Sequence, residues 1–208
     1  MRRLLVFVCS IVGLTCAASS AANAQFYVGG HGGANFLRDS DISGSGMDAT
    51  ASFDVGYVVG GVTGYRFGIS EALSVDVEGE FAYRNNDIDK ISVAGFPDTS
   101  GESQSFLWMA NSWLNWEIAD SGFVPYVGGG FGGVHIDISK ADVGNVEVDH
   151  ESDFVIGGQV GGGLAYHLDE HVDISVDYRF LITDDANMNG LDVEYGAHSL
   201  MLGLKYLF

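Results

Sequence analysis

Residues 199–208 read Ser199-Leu200-Met201-Leu202-Gly203-Leu204-Lys205-Tyr206-Leu207-Phe208. Leu200, Leu202, Leu204, Tyr206 and Phe208 share one parity. Ser199, Met201, Gly203, Lys205 and Leu207 share the other. A period of two over ten residues is the mark of a β-strand, because successive side chains leave opposite faces. The segment before it repeats the pattern: Val172, Ile174, Val176, Tyr178, Phe180 and Ile182 alternate with Asp173, Ser175, Asp177, Arg179, Leu181 and Thr183. Farther out, Leu73, Val75, Val77, Gly79, Phe81 and Tyr83 alternate with Ser74, Asp76, Glu78, Glu80, Ala82 and Arg84.

Weaker copies fill the rest. Val55, Tyr57, Val59, Tyr65 and Phe67 share a side, as do Phe106, Trp108, Ala110, Leu114 and Trp116, and Phe154, Ile156, Val160, Leu164 and Tyr166. The alternation predicts eight strands near 25–37, 53–67, 72–85, 103–118, 123–138, 153–168, 171–183 and 195–208. Strands of soluble proteins typically run about 5–6 residues, whereas a strand crossing a bilayer at a tilt needs about 9–11. The connections alternate too: those near 38–52, 86–102, 139–152 and 184–194 are long and polar, and those near 68–71, 119–122 and 169–170 are tight. Long loops at one end and short turns at the other are expected of a bacterial outer-membrane barrel. A soluble barrel with its apolar face inward has no use for that asymmetry. The expected fold is therefore all-β, an eight-stranded antiparallel up-and-down transmembrane β-barrel.

The beginning of the chain reads differently. Met1-Arg2-Arg3, an apolar run over Leu4–Leu14 and the small residues ending Ala22-Asn23-Ala24 make the three parts of a secretory signal peptide. Cleavage after Ala24 would leave a barrel of residues 25–208. Both cysteines, Cys9 and Cys16, would leave with the leader, so no disulfide framework or Cys-based metal site is expected. With Arg2 and Arg3 gone, 7 basic residues face 28 acidic ones, a charge of −21. That balance argues against nucleic acid, whose phosphates demand Lys and Arg.

In a membrane barrel the apolar parity faces lipid, with aromatic rings gathered near the turn end: Tyr65, Phe67, Trp116, Tyr126, Tyr166, Tyr206 and Phe208. The charged parity then shares the lumen: Arg66, Asp76, Glu78, Glu80, Arg84, Asp173, Asp177, Arg179 and Lys205, with Asp54, Glu117 and Asp137. At eight strands the interior is just wide enough for side chains to fill it. Isolated charges there are costly, so Arg66, Arg84, Arg179 and Lys205 are expected to be clamped by carboxylates. The same residues read either as a structural network filling the lumen or as the gate of a narrow channel for small solutes or ions.

Four stretches resemble a known family: Phe26-Tyr27-Val28-Gly29-Gly30, Gly60-Gly61-Val62-Thr63-Gly64-Tyr65-Arg66-Phe67, Pro125-Tyr126-Val127-Gly128-Gly129-Gly130 and Gly203-Leu204-Lys205-Tyr206-Leu207-Phe208. They are similar to the small eight-stranded outer-membrane barrels, among them the transmembrane domain of outer membrane protein A and the opacity-type, porin-like surface antigens. The resemblance implies an integral outer-membrane protein with a surface, adhesive or envelope-stabilising role. It also implies that Leu200, Leu202, Leu204, Tyr206 and Phe208 form the signal read by the outer-membrane assembly machinery. The peptidoglycan-binding domain that full-length outer membrane protein A carries is not expected in a chain ending at Phe208.

Enzymatic readings are weak. His198 and Ser199 are adjacent on a strand, so their side chains point to opposite faces and cannot pair. His135 and Asp137 share a parity and are expected to point inward as polar partners. His167 and His171 flank a turn without a third ligand. No glycine-rich phosphate loop lies between a strand and a helix. Neither catalytic residue, cofactor nor metal is expected. The loops are acidic, with Asp39, Asp41 and Asp48 in the first and Asp142, Glu147, Asp149 and Glu151 in the third. Divalent cations could bridge such carboxylates to anionic lipopolysaccharide. The partners expected are outer-membrane lipid and lipopolysaccharide, the assembly machinery and an unidentified host or envelope partner.

Overall fold

Strict alternation drives each segment into an extended ribbon, and a two-faced ribbon is stable only when neighbours cover its backbone hydrogen-bonding edges. The computed structural model describes residues 24–37, 40–44, 47–53, 55–92, 99–139, 142–143, 146–147, 151–184, 186–188, 191–193 and 196–208. The predicted leader lies outside these, apart from Ala24. Eight long strands form: β1 (Ala24–Leu37), β2 (Gly56–Ser70), β3 (Leu73–Ser92), β4 (Thr99–Trp116), β5 (Phe123–Ser139), β6 (Glu151–His167), β7 (Val172–Thr183) and β8 (Gly196–Leu207). Each pairs antiparallel with its neighbours in sequence. β1 closes on β8, from Tyr27 opposite Leu207 to Leu37 opposite Ala197. No free edge remains among the eight, as a bilayer requires.

Three tight turns join β2 to β3, β4 to β5 and β6 to β7 at one end. In the second turn Asp120 and Gly122 take positive φ, 58° and 70°. A Cβ at Gly122 would also press on the Tyr166 ring at 3.1 Å, so glycine is needed there twice over. At the other end β3 runs seven residues past its expected end. Residues Ser40–Gly44 and Met47–Phe53 form a hairpin that pairs with β3. Phe53, expected to open the second long strand, belongs to this hairpin. A second short hairpin, Ala186–Met188 with Leu191–Val193, joins the first where Asp192 faces Ser43. The pairing of the strands thus continues above the wall at the loop end.

The outer wall is apolar. Val28, Val59, Val77, Phe81, Trp108, Val127, Val160, Val176, Leu202 and Leu204 are all exposed, Leu202 at 67%. Rings collect at the turn end, where Phe26 packs on Tyr65 and Phe208, and Phe123 on Tyr166. Tyr206 meets Phe208 at 4.9 Å. Tyr65, Phe67, Trp116, Tyr166, Tyr206 and Phe208 are exposed, as expected. Tyr126 is not part of this belt. It points inward, packs edge-on against Trp113 and donates its hydroxyl to Asp177.

Candidate functional site

The buried side chains of the lumen fall into an ionic half near the turns and a half near the loops built on an apolar cluster with a few buried polar residues. The half nearer the turns is ionic. Arg66 of β2 grips Asp76 of β3 in a fork, Nε to Oδ1 at 2.8 Å and Nη2 to Oδ2 at 3.1 Å, and reaches Asp173 of β7 at 3.0 Å. Lys205 of β8 donates to Asp76 at 3.3 Å and to Glu78 at 3.2 Å. Its ammonium also stands 4.5 Å from the centre of the Tyr27 ring, a cation–π contact. Glu78 further accepts from the Tyr27 hydroxyl at 2.9 Å and the Trp113 indole at 2.8 Å.

One step farther from the turns, Glu80 is the hub. Its Oε2 accepts from Arg179 Nη1, Asn111 Nδ2 and Gln159 Nε2, each at 2.7 Å. His31 Nε2 stands 3.3 Å from Oε1. Arg179 also lies 3.6 Å from Asp177 and stacks its guanidinium 4.9 Å over Trp113. The carboxylate is 96% buried. Burying it costs several kcal/mol unless charge and hydrogen bonds replace water, and the three donors with the guanidinium provide that replacement.

Nearer the loops the lumen changes character. Val58, Ala82, Leu107, Met109, Val134, Ile136, Val155, Leu181, Ala197 and Met201 form one buried apolar cluster spanning the bore. Arg84 is buried at this end, 2% exposed. Beside it Asn35 donates to Asn86 at 2.6 Å and accepts from Ser199 at 2.7 Å.

The lumen residues expected from the sequence thus fall into place as follows. Arg66, Asp76, Glu78, Glu80, Asp173, Asp177, Arg179 and Lys205 come together in one network. Arg84 is buried farther toward the loops, opposite Val58 of the apolar cluster. Glu117 sits at the turn-end mouth, where His167 bridges it to Asp173 through its two ring nitrogens, 3.1 Å from Glu117. Asp54 lies outside the described residues. His135 and Asp137 do not point inward: on β5 it is Val134 and Ile136 that are buried, and His135 faces out beside Phe106 and Phe154. Val134 and Ile136 belong to the apolar cluster of the bore, so the usual apolar-out rule inverts on this part of β5. His198 faces out against Tyr178, 2.6 Å from its hydroxyl, while Ser199 faces in, so the two are separated as adjacency demands. His171 stacks on Tyr206. Among the described residues, no group of three or more metal-ligating side chains forms.

The neutral partners of the network were the part not singled out beforehand. Tyr27, His31, Trp113 and Gln159 carry no charge pattern, although the inward parity of β4, shared by Asn111 and Asn115, could have pointed to Trp113.

A family model, the outer membrane protein beta-barrel domain, matches residues 7–208. The chain belongs to this outer-membrane β-barrel family. It is a protein of the bacterial outer membrane. Among solved structures, Neisserial surface protein A is 20% identical, with 89% of this chain and 99% of that chain covered at a TM-score of 0.52. OprG from Pseudomonas aeruginosa is 15% identical, covering 89% and 96% at 0.48. Ail, the attachment invasion locus protein of Yersinia pestis, is 17% identical, covering 89% and 97% at 0.45. The likeness to the Neisserial protein shows the shared barrel fold. No curated protein matches the sequence. Within this family the outward apolar wall faces lipid, and the turns and loops lie at opposite membrane surfaces.

Proposed function

We propose that the protein is a surface protein with a structural or interaction role, in adhesion or envelope integrity, and that its lumen is filled rather than conducting. The observation that carries this reading is the apolar cluster around Leu107, Leu181 and Met201, stacked on the Glu80–Arg179 centre. An ion would have to cross both a layer that cannot solvate it and a salt bridge that it would have to break. With the bore closed by side chains, the features left for function are the lipid-facing wall and the loops. Outer-membrane lipid and lipopolysaccharide are the partners of the wall and rim. Leu200, Leu202, Leu204, Tyr206 and Phe208 are the strand offered to the assembly machinery, and the loops meet an envelope or host partner. We assign no catalytic role.

The competing reading is a narrow channel gated at Glu80–Arg179. Planar-bilayer recording separates the two. The filled lumen predicts no conductance above the lipid background. Steps of conductance that vanish in Glu80→Ala or Arg179→Ala would establish the channel instead.

A further inference from the structure

The ionic half of the lumen leaves specific atoms without a protein partner. Gln159 and Arg179 are 2% and 4% exposed, yet Gln159 Oε1 and Arg179 Nε have no hydrogen bond among the described residues. The Gln159 amide cannot be turned to remove the problem. Its Nε2 donates to Glu80 Oε2 and to Asn111 Oδ1, both at 2.7 Å. Asn111 is fixed in turn, since its own Nδ2 donates to Glu80 at 2.7 Å and to Glu78 at 3.3 Å. The unpartnered acceptor and the unpartnered donor are therefore both real features of the packing. They are near neighbours: Gln159 Nε2 and Arg179 Nη1 touch the same oxygen of Glu80. A buried amide oxygen left unsatisfied costs about 1–3 kcal/mol.

The chemistry selects the occupant. A ligand joining these atoms must accept from a guanidinium N–H and donate to an amide oxygen. A metal cation cannot accept, and a halide cannot donate; water does both. The ionic half has an entry at the turn end. At the turn end a cavity of about 590 Å³ is lined by Gln25, Arg66, Glu117, His167, Asp173 and Leu207. Ser74 Oγ, another unpartnered buried atom, belongs to the same half. Above Glu80 the next layer is the apolar cluster, and apolar cavities stay dry.

We propose that the lumen is a water-bearing half-channel. Water enters at the turn end, reaches Glu80, bridges Arg179 Nε to Gln159 Oε1, and stops beneath Leu107, Leu181 and Met201. Proton exchange at the Glu80 centre then belongs to the periplasmic side alone. The proposal uses the apolar layer of the filled-lumen reading, but its test is separate.

Water-edited solid-state NMR on the full barrel in lipid bilayers reads it directly. Magnetisation from water should reach Arg179 Nε and the Gln159 side chain at least severalfold faster than the methyls of Leu107, Leu181 and Val134. In Gln159→Met, confirmed folded by heat-modifiable migration, the transfer to Arg179 Nε should fall severalfold. If that variant does not fold, the unaltered protein still decides. A dry Arg179 Nε, or methyls of Leu181 and Leu107 as wet as Arg179, would overturn the proposal. Conductance across the bilayer, by contrast, would overturn the filled-lumen reading.

Discussion

The two halves of the lumen obey opposite rules although one set of strands builds both. On β7, Asp177 and Arg179 point into the bore, and two residues on, Leu181 points the same way into an apolar layer. On β8, Lys205 serves the ionic half and Met201 the apolar one. In the turn half, cohesion is electrostatic and directional: four or more partners converge on Glu78 and on Glu80. In the loop half close packing of the apolar cluster dominates, with the Asn35–Asn86–Ser199 hydrogen bonds beside it. A charge can be held in the bore only where other charged and polar side chains surround it. The apolar layer separates that environment from the loops.

The difference can be broken from either side, and the losses should rank. Arg179→Ala removes the cation beside Glu80 and Asp177 and leaves carboxylates buried without it. We expect the largest effect, a loss of about 3–5 kcal/mol in folding stability, measured by urea-dependent unfolding in lipid vesicles. A double change with Glu80→Gln should recover part of it, which an unrelated packing defect would not allow. Leu181→Ala empties a site that is fully buried in the apolar layer. It should cost roughly 2–5 kcal/mol through lost burial and the cavity left, in the same assay. Its effect should not change with ionic strength. Leu202→Arg, on the lipid face near the middle of the wall, should cost roughly 2–4 kcal/mol, and the cost should shrink when the same change is made at Phe208 near the boundary. His167→Gln is the smallest. His167 and Glu117 are each about one-third exposed, so that arm of the bridge is worth about 1 kcal/mol or less, and buried Asp173 keeps Arg66 as its partner when His167 is replaced.

How far the sequence could be read follows from the same contrast. Alternation in β3, β7 and β8 marks strands plainly because one parity is almost continuously apolar while the other carries most of the charged and polar residues. Asp76, Glu78, Glu80, Asp177, Arg179 and Lys205 were all legible as inward for that reason. On β5 the contrast fades, since Gly128, Gly129, Gly130, Gly132 and Gly133 say nothing about facing. Tyr126 then read as a belt residue, and His135 and Asp137 as lumen residues, each on the wrong side. The His135 and Asp137 errors arise because polarity signals facing only where the bore is polar, and near Val134 and Ile136 it is lined by the apolar cluster. Tyr126 misleads because an amphipathic ring near the turn end fits the belt as well as it fits the Asp177 carboxylate inside. Strand ends were harder still. Nothing in the pattern showed that β3 continues to Ser92 or that Thr50–Phe53 pair with it, because pairing above the membrane needs no alternation of apolar side chains. Long-range hydrogen bonds such as Gln159 to Glu80, separated by 79 residues, follow from barrel closure and not from any local motif.

The three tryptophans offer the sharpest single measurement. Trp108 and Trp116 are each 49% exposed on the outer wall, and Trp113, between them on β4, is 1% exposed inside. Single-tryptophan variants in bilayers can be quenched from the lipid side by brominated acyl chains and from the water side by acrylamide. A wall facing lipid around a filled lumen predicts strong bromine quenching of Trp108 and Trp116, and protection of Trp113 from both reagents. Bromine quenching of Trp113 would mean that the faces are exchanged, and acrylamide quenching of Trp113 would mean an open bore.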